Sequence, residues 1–171
     1  MHKIRHPREL ALKLRLLSEP SVVVADVPVL RGPKRTFPER LVARVLVSNI
    51  SAATMRAVNY ASTLDVADTQ AVHFAFSSED GRAIRSEWAR HGPRLPLHVE
   101  EAPYRDIEAP LLHYLRGITE DPDVAVLVLM PELIMHGWRR LLHNQRALYI
   151  KRLLLFERHV ILASVPYQLL R

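Results

Sequence analysis

Three polar residues, His143-Asn144-Gln145, interrupt a Leu- and Arg-rich stretch directly after Leu141-Leu142. Side chains of these types donate and accept hydrogen bonds, so they could hold a ligand or a partner domain. A solvated turn of an amphipathic helix accounts for them as well, and composition alone leaves both readings open. Upstream of them lie Gly137 and the pair Pro131-Glu132, which follows an apolar run. Ser48-Asn49-Ile50 follows an earlier apolar run in the same way. Phosphate recognition needs converging backbone N–H groups and glycines that permit close approach. Only Gly137 lies near the second of these turns, and Pro131 has no N–H to give. Neither G-x-x-x-x-G-K-[ST] nor G-x-G-x-x-G occurs. The expected chemistry is hydrogen bonding to a base or ribose at Ser48, Asn49, Ile50, Pro131, Glu132, Gly137, His143, Asn144 and Gln145.

Other chemistries lack their residues. The nine histidines form no ligand pattern. His136 and His143 are seven apart, and no Glu stands between them as in H-E-x-x-H. Glu100 and Glu101 are adjacent in a strand-like run, so they point to opposite faces. Ser48 and Ser51 have no evident base, and with no cysteine there is no thiolate nucleophile. The sequence therefore predicts no catalytic residue, no metal and no cofactor, and a non-enzymatic domain.

The elements that must position the polar residues are legible from periodicity. Short apolar runs at Ala43–Val47, Gln70–Phe76, Leu97–Glu101, Val124–Met130 and Val160–Val165 read as strands. Between them, helical spacing covers Ser51–Leu64, Ser78–His91, Ile107–Ile118 and Trp138–Phe156. Ser77 or Ser78 is a polar N-cap for the second helix, and Glu79 and Asp80 give it an acidic first turn. Strands alternating with helices predict an α/β fold: an open, mainly parallel five-stranded sheet with helices on both faces. In such a sheet ligands sit at the carboxyl ends of the strands. Val160, Ile161, Leu162 and Val165 form an apolar edge that needs covering, which predicts pairing with a second copy.

The net charge of +6 is unevenly spread. Residues 1–40 hold nine Lys/Arg against four acids, so the body of the chain is almost neutral. This basic N-terminal arm contains a helical stretch at 7–17, an extended stretch at 21–30 and a Gly/Pro-rich linker at 31–38. The domain boundary is placed there, giving an arm at 1–40 and an α/β domain at 41–171. With aromatics at 6% and no recognition motif, nucleic acid is not an expected partner. No run approaches the ~20 apolar residues of a transmembrane helix, and the N-terminus lacks the apolar core of a signal peptide.

Several segments carry a family resemblance: Arg56–Leu64, Ala71-Val72-His73, Glu101–Arg105 with Pro110-Leu111-Leu112, Val128–Glu132, Arg139–Gln145 and Ser164-Val165-Pro166-Tyr167. Over residues 42–169 the chain resembles universal stress proteins. More closely, it resembles the cytosolic C-terminal domain of bacterial amino acid-polyamine-organocation permeases. The Leu-Leu-His-Asn-Gln and Ser-Val-Pro-Tyr pieces are the specific ones. The resemblance implies a regulatory or interaction module of an amino-acid or related cation permease. Its partner would be a transmembrane domain, it would lie at the cytoplasmic inner face of the cell membrane, and the basic arm would fall where a chain leaves the bilayer. It also implies homodimerisation through the last strand. ATP-binding stress proteins carry an Asp after the first strand and a G-2x-G-9x-G-[ST] loop after the fourth. Here Ser48-Asn49 and His143-Asn144 stand at those places, which argues against ATP hydrolysis. An adenine nucleotide or, as in some related transporter domains, a cyclic dinucleotide remains the implied ligand class. The alternative is a free-standing stress-protein-like nucleotide binder with a degenerate phosphate loop.

Overall fold

Apolar runs rich in Val, Ile and Leu, too short for helices, suit strands covered on both faces. In the computed structural model, which describes residues 38–66, 68–103, 106–134 and 145–169, they form five strands. These are β1 (Arg40–Leu46), β2 (Asp68–Ala75), β3 (Leu97–Glu101), β4 (Val124–Ile134) and β5 (Val160–Gln168). Four helices connect them in turn: α1 (Ala52–Ser62), α2 (Ser78–His91), α3 (Glu108–Thr119) and α4 (Gln145–Leu154). The sheet order is β3-β2-β1-β4-β5, and all neighbouring strands run parallel. This is the open α/β sheet that the sequence predicts. The 7–17 and 21–30 elements of the basic arm, and all of the linker but Pro38, lie outside the described residues. β1 itself begins at Arg40.

Side-chain alternation sorts the strands into two cores. Val42, Val72, Phe74, Val126 and Val128 pack with Leu111, Leu115, Ile150 and Leu154 of α3 and α4. On the other face, Val45, Ala71, Leu129 and Val165 pack with Ala57, Val58, Ile84 and Trp88 of α1 and α2. Polar caps fix where α1 and α2 begin. Ser51 Oγ accepts from the Thr54 N–H and Ser77 Oγ from the Asp80 N–H, so each satisfies an otherwise orphaned donor. Gly92 closes α2 at φ 58°, in the left-handed region that glycine enters without a Cβ penalty. Gly81 lets α2 approach the sheet: a Cβ there would lie 3.4 Å from that of Ala75.

Two element ends differ from the sequence expectation. β4 continues past Met130 to Ile134, and β5 past Val165 to Gln168, pairing through Ile134 and Gln168. β1 stops pairing with β4 at Leu129, so Pro131 enters a strand that has one free side, where a missing N–H is tolerated. α4 is helical from Gln145 to Leu154 and not to Phe156, while residues 135–144 lie outside the description. Its last turn tightens: the N–H groups of Phe156 and Glu157 bond to the carbonyls three residues earlier. Among the described residues, no helix is long and apolar enough to cross a membrane.

Candidate functional site

β1 is flanked by β2 and β4, and the connections leaving β1 and β4 run to opposite sides of it. The strand order therefore reverses between β1 and β4, where open α/β sheets form a crevice at their carboxyl ends. A cavity of about 300 Å³ lies there. Its apolar lining comes from Leu46, Val72, Phe74, Phe76, Ile107, Met130, Pro131, Ala147 and Ile150. Ser48 supplies a polar side chain, whereas His73 contributes backbone, because its neighbours Val72 and Phe74 turn their side chains to this side and successive strand residues alternate. A few polar groups in an apolar concavity is the usual make-up of a small-ligand site. The volume suits one ring system of nucleobase size and sits at the low end of ligand pockets, ~300–1,000 Å³.

His73 is 4% exposed and stands at the end of β2 on the α1/α2 side. Its Nδ1 donates to the Val47 carbonyl at 2.8 Å, which fixes the proton on that nitrogen. Nε2 faces Asp80 Oδ2 at the longer distance of 3.4 Å. The Asp80 carboxylate also accepts from the Phe76 N–H at 2.9 Å, so one acid ties the start of α2 to the end of β2. His73 thus ties the residue just past β1 to this turn.

A second polar cluster lies within the other face of the sheet. Arg44, 4% exposed, donates to Tyr114 Oη, the Ala43 and Asp68 carbonyls and Asp68 Oδ2, at 2.6–3.0 Å. Burial opposes ionisation of Asp68, but the adjacent guanidinium outweighs it and holds the carboxyl below its ordinary value. Burial raises the Tyr114 phenol above its usual value, with Arg44 opposing. His98 stacks on Tyr114 with ring centroids 5.3 Å apart and contacts Glu100 at 2.6 Å. The guanidinium at the centre of this cluster bonds only protein partners, so the cluster anchors strands.

The residues expected to bind a ligand are only partly brought together. Ser48 and Pro131 line the cavity. Asn49 is exposed, and its carbonyl accepts from Thr54 Oγ1 at 2.8 Å. Ile50 packs beside the α1/α2 core. Glu132 bonds Lys151 Nζ of α4 at 2.7 Å. Gly137, His143 and Asn144 lie outside the described residues; Gln145 opens α4. Of the expected edge, Val160 and Leu162 pack beside the α3/α4 core and Ile161 is half-buried. Val165 is 6% exposed and belongs to the core, so the free edge of β5 is chiefly backbone. Sequence reasoning did not single out the buried ionisable residues His73 and Arg44. The available signal was the same for both: one ionisable residue inside a run otherwise fit for a buried strand.

The family model of the KimA potassium transporter C-terminal domain matches residues 39–167, from the residue before β1 to within β5. The potassium transporter KimA of Bacillus subtilis (strain 168) is 24% identical over 127 residues, 72% of this chain but 21% of that protein. A transporter-associated domain, as the sequence resemblance implied, is therefore supported. An amino-acid substrate and a stress-protein identity are not: the matched family is that of a potassium transporter. The chain belongs to the family of KimA potassium transporter C-terminal domains.

Proposed function

We propose that this chain is the regulatory domain of a potassium transporter, and that a ligand in the cavity at the ends of β1, β2 and β4 sets the activity of the membrane part. The observation that carries the reading is the family match over residues 39–167, which reaches from before β1 into β5. The cavity supports it, because the crevice at a strand-order reversal is where such sheets hold ligands. An adenine nucleotide or cyclic dinucleotide would place a base among Phe74, Phe76 and Ile107 and reach Ser48. The domain performs no chemistry of its own in this proposal. It lies at the cytoplasmic face of the membrane and pairs with a second copy through β5.

The test has two arms. Titration calorimetry of the chain with AMP, ATP and cyclic dinucleotides is expected to give heat with at least one of them. Ser48→Trp, at an exposed position on the cavity, is expected to abolish it without loss of fold. In the intact transporter the same substitution should leave potassium uptake running but insensitive to that ligand. Absence of heat with every nucleotide removes the ligand class. Uptake that is unchanged when the whole domain is deleted removes the regulatory role.

A further inference from the structure

α4 is apolar on two opposite sides. Its inner side puts Ile150 and Leu154 into the core, at 7% and 1% exposure. Successive residues turn by about 100°, so Leu155, Leu148, Arg152, Phe156 and Tyr149 fall in that order across an outer arc of about 120°. The Leu155 N–H still bonds the Lys151 carbonyl, so Leu155 continues the helical path. Leu148, Leu155 and Phe156 are 67%, 73% and 80% exposed, and Tyr149 is 49% exposed. The outer face of a surface helix is ordinarily charged. Single exposed apolar residues are unremarkable, but a contiguous set marks a surface that is covered in use.

The charges around this face identify the cover. Arg152 lies within the arc and Arg158 follows it; both are exposed, and neither makes an ion pair among the described residues. The acids of the adjoining segments are engaged. Glu157 accepts from Arg116 twice, at 2.9 and 2.7 Å, Glu108 accepts from the Tyr149 hydroxyl, and Glu132 holds Lys151. A second copy across a two-fold axis through this face would set Arg152 against Arg152, a like-charge contact. An anionic bilayer supplies headgroup charge for the guanidinium groups and apolar depth for the side chains beside them.

We propose that the outer face of α4 rests on the anionic surface of a lipid bilayer, with Leu148, Leu155 and Phe156 reaching the acyl boundary and Arg152 and Arg158 at the phosphate level. The proposal rests on the transporter reading only for the nearness of a membrane.

Co-sedimentation of the whole 171-residue chain with vesicles tests it. The wild type is expected to bind phosphatidylglycerol vesicles in preference to phosphatidylcholine vesicles. Leu155→Ser/Phe156→Ser leaves every charge in place, including those of the basic arm, so any loss reports the apolar contact. That loss is expected to be about tenfold or more in partitioning. Leu148→Ser, at an independent exposed position, should act in the same direction, and circular dichroism checks the fold of each variant. Binding by the Ser variants equal to wild type, or no preference for the anionic vesicles, overturns the proposal. So does a drop from dimer to monomer in the double variant with vesicle binding unchanged, which would assign the face to a second copy. None of these outcomes bears on uptake by the intact transporter, so the transporter reading stands or falls separately.

Discussion

Arg44 and His73 are both ionisable, both 4% exposed and both in neighbouring central strands, yet the protein treats them differently. Arg44 lies on the α3/α4 side and has Tyr114, Asp68 and two carbonyls around it. His73 lies on the α1/α2 side with one short bond to Val47 and one longer contact to Asp80. A polar cluster like that of Arg44 fixes strand positions, and breaking it leaves a buried charge uncompensated. Both ring nitrogens of His73 are used as well, one closely and one loosely. Burial alone therefore does not identify a site residue; what matters is whether its hydrogen-bonding capacity is already used.

That contrast can be broken from either side. Asp68→Ala strips Arg44 of its counter-charge but not of its burial, and is expected to cost about 3 kcal/mol in urea unfolding. His73→Leu removes one bond to the Val47 carbonyl just past β1 and is expected to cost about 1–2 kcal/mol. A His73→Leu variant as costly as Asp68→Ala would erase the distinction between the two residues. Arg44→Met replaces the charge by an apolar chain of similar length and is expected to stay within about 1 kcal/mol of wild type.

The smallest effect is a pH dependence. The Asp68 pKa is depressed in the fold below that of an ordinary carboxyl, so its stabilising contribution is complete well above the ordinary value and is lost as pH falls through the depressed one. Thermal melts between pH 3 and pH 6 should show Asp68→Asn losing less stability on acidification than the wild type.

Much of the architecture was legible in the chain. Runs such as Val124–Met130 can only be strands buried on both faces, and Ser77 followed by Glu79 and Asp80 marks a helix start. The carboxyl ends of β1 and β4 were found as the ligand side because that rule depends on topology alone. The finer assignments failed where tertiary context decides. Pro131 looked like a strand end, yet β4 passes through it because β1 has already stopped pairing there. Glu132 looked available, yet a lysine nineteen positions later in sequence, Lys151, holds it. Phe74 and Phe76 carried no signal beyond lying in a strand run, and only the empty space beside them makes them part of a site. Arg44 and Asp68 are 24 positions apart, a pairing that only the β1–β2 register reveals.

The strand order has a consequence for how the protein is made. β1 emerges first among the strands but ends up in the middle of the sheet, and its second neighbour, β4, follows only after two more strands and three helices. Until then a chain leaving the ribosome carries β1 with one side unpaired, and no tight hairpin can close early because every pairing is parallel. Completion of the sheet therefore waits on nearly the whole domain, and a transcript truncated before Val124 would yield a product prone to aggregation, not a smaller working module.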